Sequence, residues 1–218
     1  ELAKATAQKA RQAYWSAISF ADAQIGKVLD ALDETGLAES TIVIFTSDHG
    51  YHMGEHGHWQ KMTLFENAAR VPLIVAGPGV AAAGKRTRSI VELVDLYPTI
   101  AELCGAPRPA HLSGKSLVPL LRDPSASVRE SALTKCNNGY SLRTDRYRYT
   151  EWGPDGRGGR ELYDHESDPV ELVNLAERPE HRELAEKLAA DLRARVAEAS
   201  EPPSGVEQIR RENRRPIR

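Results

Sequence analysis

Apolar residues recur at helical spacing near the start of the chain. Tyr14, Ala17, Ile18, Ala21, Ile25, Val28, Leu29 and Leu32 share one face of a helix. The pattern predicts an amphipathic helix that packs this face against a core and stops at Gly36, a natural C-terminal cap. Thr41-Ile-Val-Ile-Phe45 follows as a β-branched apolar run and predicts a buried strand. Helix, short loop and strand in that order read as part of a layered α/β sheet. Val71-Pro-Leu-Ile-Val-Ala76 predicts a second strand, with Pro72 at its entry rather than its centre. Residues 80–87 are small or polar and read as a surface loop. Asp95 to Cys104 reads as a helix, with Asp95 near its N-cap, Pro98 in its first turn and Gly105 at its end.

The pattern then changes. Pro107, Pro109, Pro119 and Pro124 mark an irregular connection over 107–130, where a subdomain boundary is expected. Tyr140–Thr144 and Tyr147–Trp152 alternate as two half-buried strands around a turn at Asp145-Arg146, and Glu161–Asp164 suggests a third. Asp168-Pro169 is a turn, and Leu184, Leu188, Leu192 and Val196 stripe a last amphipathic helix. The expected division is therefore an α/β portion over 1–106, the connection over 107–130, a sheet-plus-helix subdomain over 131–200, and a solvated, arginine-rich tail over 201–218.

Composition narrows the function only by exclusion. A chain of 218 residues with 40% hydrophobic and 28% charged residues suits a globular domain with a smaller appendage. Its formal net charge of −2 gives no reason to expect a nucleic-acid partner. No run approaches the roughly 18 apolar residues of a membrane span. The chain opens at Glu1 inside a segment that already reads as helix, so it is expected to be cut from something longer. Two cysteines, Cys104 and Cys136, form no disulfide framework and read as buried free thiols.

The chemistry concentrates in Thr46-Ser-Asp-His-Gly-Tyr-His-Met-Gly-Glu-His-Gly-His-Trp-Gln-Lys61, which holds four of the seven histidines. A strand that ends in Asp48-His49-Gly50 delivers a hard oxygen and a nitrogen donor to a sheet edge, where open α/β folds place ligands. Glycine at 50, 54 and 57 lets the backbone turn tightly beside a ligand. Two ligands cannot hold a divalent ion, so further donors must come from elsewhere. Taken alone, an Asp-His pair more often caps a turn; the glycine-histidine loop after it favours a site. His52, His56 and His58 lack the order and thiol neighbours of a separate zinc site and are expected to line a pocket or hydrogen-bond within the loop. Lys61, near Trp59 and His58, is a candidate oxyanion contact.

These residues resemble the sulfatase family of the alkaline-phosphatase superfamily, most closely iduronate sulfatase-like enzymes. The likeness runs through Thr46–Gly50, Gly54-Glu-His-Gly-His-Trp-Gln-Lys61, Val71-Pro-Leu-Ile, Val94–Thr99, Gly139–Tyr149 and Glu161-Leu-Tyr-Asp…Asp168-Pro. It implies a large α/β domain and a small C-terminal subdomain with an antiparallel sheet on a long helix. It also implies hydrolysis of a sulfate ester by formylglycine, made from cysteine in a Cys-x-Pro-x-Arg motif, with one calcium ion holding the sulfate oxygens. Carried over by motif, Asp48 and His49 look like the metal ligands and Lys61 like the lysine that contacts the sulfate group and bridging oxygen; His58 and Trp59, read from the loop itself, are candidate substrate contacts.

The departures define the expectation further. Neither Cys104-Gly-Ala-Pro nor Cys136-Asn-Asn-Gly is the formylglycine motif, and the paired aspartates of the family are missing. The chain thus reads as the C-terminal half of a sulfatase for a sulfated small molecule or glycan, partnered by the N-terminal half that brings the nucleophile. The resemblance favours a periplasmic, extracellular or lysosome-like compartment. Two alternatives remain: a zinc-dependent phosphodiesterase or phosphatase of the same superfamily, where nitrogen ligation suits Zn2+, and a non-catalytic fragment or binding module. Tyr51, Trp152 and the basic residues from Arg143 to Arg148 read either as pocket lining for an acidic sugar or as hairpin surface and core.

Overall fold

The first apolar stripe forms one continuous helix, Lys4–Glu34 (α1), in a computed structural model that describes residues 3–203 and 205. The helix ends as its sequence requires. Gly36 takes φ +69°, the Gly36 N–H donates to the Asp33 carbonyl, and the Leu37 N–H donates to that of Leu32 at 3.2 Å. This is the left-handed termination that glycine makes cheap. The expected packing against a core is not found. No residue of α1 is buried, and Trp15, Phe20 and Val28 are each more than 60% exposed. Most of the stripe is exposed, with Leu32 half-buried; α1 meets the histidine loop through Arg11, whose Nε donates to the Met53 carbonyl at 2.9 Å, and through Tyr14 on Tyr51.

The next strand is Val43–Thr46 (β1), and it too departs from the expected buried position, being half-buried with Phe45 exposed. Two short strands, His52–Met53 (β2) and Trp59–Gln60 (β3), form a small antiparallel ribbon in the histidine loop. A single helical turn, Glu66–Ala69 (α2), then leads to Leu73–Ala76 (β4). β4 pairs antiparallel with β1, Val43 opposite Ala76 and Thr46 opposite Leu73. Pro72 sits just outside the ladder, where its missing N–H costs nothing.

Helix Leu96–Leu103 (α3) follows a 3-10 turn over Leu93–Asp95, and Asp95 occupies its N-cap position as expected, although its side chain makes no cap bond there. Glu92 caps the turn instead, and the Asp95 carboxylate reaches back to the Glu92 N–H at 2.8 Å and accepts the Lys115 N–H at 2.7 Å. Asp95 is fully buried, and the Arg129 guanidinium neutralises it while also binding Glu92 at 2.5 Å. A buried carboxylate is tolerable only with such a partner. Between residues 107 and 130 the chain is not wholly irregular. Val118–Arg122 forms a short helix (α4) that buries Val118 and Leu120. Cys104 is exposed and Cys136 half-buried, contrary to expectation, because both lie where the chain leaves an element, at the end of α3 and of the next strand.

That strand, Ala132–Cys136 (β5), had no clear signal in the sequence. It edges a four-stranded antiparallel sheet with Gly139–Arg143 (β6), Tyr147–Trp152 (β7) and Gly159–Asp164 (β8), in sequential order. The final helix, Arg182–Ser200 (α5), lies on this sheet and buries Leu188 and Leu192 against Leu142, Tyr149 and Leu162. Here is the main apolar core. The arginine-rich stretch beyond 205 lies outside the described residues. None of the described helices is long and apolar enough to cross a membrane.

A second ionic network joins this sheet to α2. Glu171 is buried, and its carboxylate accepts Arg148 Nε at 2.5 Å, His165 Nε2 at 2.8 Å and the Glu66 backbone N–H at 2.7 Å. The same Arg148 guanidinium pairs with the Glu66 carboxylate. Burial alone would raise the Glu171 carboxyl, but the His165 hydrogen bond, the Arg148 charge and the Glu66 N–H outweigh it and hold the group below its ordinary range. A depressed carboxyl stabilises the fold fully above its unfolded value, about pH 4.3, and loses that contribution as pH falls through the folded value. We therefore expect the chain to melt above Glu171→Gln at neutral pH, with the gap closing below about pH 4. Circular dichroism melts across that range test this; a pH-independent gap would refute it.

Candidate active site

Asp48, His49 and Lys61 come together although β1 has ended before them. His49 Nε2 lies 3.5 Å from Asp48 Oδ2 and 2.6 Å from Lys61 Nζ. His49 Nδ1 lies 2.7 Å from the Gly50 carbonyl, which can only accept, so Nδ1 carries the proton and Nε2 presents its lone pair. The Lys61 ammonium donates to that lone pair. Asp48 and Lys61 are exposed and His49 half-buried, so the three are open to solvent rather than sealed.

Gly50 explains why the turn sits where it does. Its N–H donates to the Ala68 carbonyl at 2.8 Å, and a Cβ at this position would lie 1.9 Å from the Asn67 carbonyl oxygen. Only glycine lets the backbone after His49 press onto α2. The following loop is strained as well: His56 and Gln60 hold positive φ of 55° and 74°, unusual for side-chain-bearing residues. His56 is braced by stacking on Phe65, with ring centroids 3.9 Å apart.

The remaining histidines serve the loop. His52 is fully buried and shares a 2.6 Å hydrogen bond with Thr63 through Nε2. Burial, reinforced by the neighbouring His56 and His58, lowers its pKa and keeps it neutral. His52, His56 and His58 do not bring three ligand atoms together, so the expectation of a loop role over a zinc site agrees with the geometry among the described residues. His58 is exposed near His52, and Trp59 lies under the Arg11 guanidinium, 5.6 Å from its ring centre. Of the pocket-lining alternatives, Tyr51 packs on Tyr14, and Trp152 donates its indole N–H to Glu161 at 2.9 Å. Arg143 and Arg148 are taken up by Glu66 and Glu171, and Arg146 by Asp164 and Glu166. A concavity of about 600 Å³ is lined by Arg86, Arg88 and Arg129 and includes none of the three residues of this cluster.

The donor set fits part of a divalent-cation site. Two ligands at right angles, each about 2.4 Å from calcium, would lie roughly 3.4 Å apart, close to the observed 3.5 Å. Lys61 already places positive charge on the Nε2 lone pair that such an ion would use. Tetrahedral zinc would need a similar spacing, so geometry alone does not choose the metal.

Comparison with known proteins adds the family. The family model described as Sulfatase matches residues 2–106. A sulfatase of Formosa agariphila is 37% identical over 184 residues, which cover 84% of this chain and 36% of the relative. Arylsulfatase K of Gallus gallus is 36% identical, over 81% of this chain and 35% of the relative. This chain belongs to the sulfatase family. It spans about a third of the length of these curated relatives. Among solved structures, one in complex with its substrate D-glucosamine-2-N,6-O-disulfate matches with a TM-score of 0.76 at 27% identity, over 85% of this chain and 40% of the other. A phosphonate monoester hydrolase of Agrobacterium radiobacter matches with a TM-score of 0.75 at 28% identity, over 86% and 41%.

In this sulfatase chain, sequence reasoning missed how the cluster is seated. The Gly50–Ala68 bond joins positions 18 residues apart, and the Glu66–Glu171 bond joins positions 105 apart; no local pattern announces either. The seat yields a direct expectation. Gly50→Ala must displace α2 or the His49 turn, at about 1–3 kcal/mol of stability, measurable by urea denaturation; an unchanged midpoint would mean the seat is soft.

Proposed function

We propose that this chain supplies the cation- and sulfate-contact part of a sulfuric ester hydrolase acting on a sulfated sugar or glycan. The observation that carries the reading is the convergence of Asp48 Oδ2 and Lys61 Nζ on His49 Nε2, at 3.5 and 2.6 Å. Asp48 and His49 are the residues that would hold calcium. When bound, the ion neutralises and orients the sulfate oxygens. The chain's own groups do the rest. The Gly50 carbonyl fixes the His49 tautomer, so Nε2 is the nitrogen that would face the ion. One lone pair cannot serve both partners, so a cation held at Nε2 would leave the Lys61 ammonium free. Lys61 is the group that would donate to the ester's bridging oxygen, where negative charge grows as the bond breaks. The relatives' names support sulfate-ester chemistry, and the disulfated glucosamine held by a structural neighbour supports a sugar substrate.

Formylglycine and the remaining metal ligands would come from an N-terminal half of the same protein. The uncovered apolar stripe of α1 and the small β1–β4 sheet support that partner, since both are surfaces that a larger α/β layer would bury. We accordingly assign residues 1–106 to the α/β domain and 131–200 to the small subdomain, joined by 107–130.

A second reading has its own support. The phosphonate monoester hydrolase matches as well by fold as the structure holding the disulfated glucosamine does, and a nitrogen ligand suits zinc better than calcium. Assay of the full-length protein separates the readings. With 4-nitrophenyl sulfate and calcium, Lys61→Ala should lower kcat about 10²- to 10³-fold. Asp48→Ala should weaken calcium binding, and chelation should abolish turnover until calcium is restored. Faster cleavage of a phosphonate monoester with zinc would favour the second reading. Binding of sulfate without turnover of either ester would leave a non-catalytic module.

A further inference from the structure

The residues that build the candidate site do not hold themselves in place. α2 is only one turn long, yet both halves of the cluster depend on it. The Asp48-His49-Gly50 turn hangs on the Ala68 carbonyl, and Lys61 reaches α2 through four residues that include the fully buried Leu64. A single helical turn has almost no stability of its own. What fixes it is the Glu171 carboxylate, which accepts the first N–H of the turn at 2.7 Å, together with Arg148, which bridges Glu171 and Glu66. Arg148 and Glu171 are both essentially buried, and Glu171 holds a positive φ of 59° that an ordinary side chain avoids. Strain of this kind persists only where the surroundings over-determine it. Here three partners of its carboxylate do so, Arg148, His165 and the Glu66 N–H.

Glu66, His165 and Glu171 also bring three ligand atoms close enough for a metal ion. The two guanidinium groups of Arg143 and Arg148 already neutralise those carboxylates, and Arg143 donates to His165 Nδ1 at 3.0 Å. A divalent cation would have to displace them, so the cluster is a clamp rather than a second metal centre.

We propose that Glu171 is a positioning residue: acting through Arg148 and Glu66, it couples the C-terminal sheet to the register of His49 and Lys61. The proposal rests on the function assigned above to that pair. The test uses the full-length protein, calcium chloride as the only probe of binding, and 4-nitrophenyl sulfate as substrate. Glu171→Gln is compared with Glu92→Gln, which damages the Asp95–Arg129 network without touching α2. At a temperature where both variants are folded by circular dichroism, Glu171→Gln should weaken calcium binding at least tenfold and lower kcat tenfold to a hundredfold. Glu92→Gln should lower the melting temperature while leaving both values unchanged. Should Glu171→Gln not fold, Glu66→Gln takes its place. Wild-type calcium affinity and kcat in folded Glu171→Gln, or an equal loss in Glu92→Gln, would overturn the proposal. If the wild-type protein neither binds calcium nor cleaves the ester, the assigned function fails instead. Positioning is then read from histidine-selective 15N spectra, in which Glu171→Gln must move the His49 ring signals and Glu92→Gln must not.

Discussion

The Gly50 N–H to Ala68 carbonyl bond and the absent Cβ beside it determine where the chemistry of this chain can lie. β1 brings the backbone only as far as Thr46. Beyond it, neighbouring side chains would point to opposite sides if the strand continued. Pressing the turn at Gly50 onto α2 turns Asp48 and His49 toward each other and brings His49 within hydrogen-bonding reach of Lys61. The electrostatics follow from this placement. The His49 ring turns Nδ1 to the Gly50 carbonyl and presents Nε2 between the Asp48 carboxylate and the Lys61 amino group.

Such an arrangement requires support, since α2 is too short to stand alone. Two buried ionic networks divide the work. Asp95, Arg129 and Glu92 tie α3 to the chain leading into β5, and Arg195 of α5 reaches Glu92 at 3.3 Å. Glu171, Arg148 and Glu66 tie β7 and the segment after β8 to α2. Buried ion pairs contribute little net stability compared with apolar packing, but removing one partner is costly. Their value here is geometric. The apolar core between α5 and the four-stranded sheet provides the stability, and the arginines transmit its position to the loop.

Two elements contrast with this well-packed region. α1 has the amphipathic pattern of a core helix and lies uncovered, while β1 and β4 form a sheet of only two strands. Their composition was chosen for burial, and the described residues do not supply enough mass to bury them. The match to only about a third of the length of the curated relatives is consistent with that shortfall.

Much of this was legible in the sequence. Helical and alternating periods located α1, α5, β4 and the β6–β7–β8 meander, because those signals arise within a few residues of one another. Asp48, His49 and Lys61 stood out as candidates because an acid, an imidazole and a glycine just after a strand are a local chemical signal. The sequence could not reveal that α1 would lie bare, since a stripe shows that a face is apolar but not what covers it. Nor could it mark β5, whose Thr134-Lys135-Cys136 alternates weakly and pairs only because β6 lies beside it. Arg148 and Glu171 read locally as a hairpin cation and a loop acid. Tertiary structure alone made them a buried pair beneath the site, because charge–charge contact depends on distance in space and is indifferent to separation along the chain.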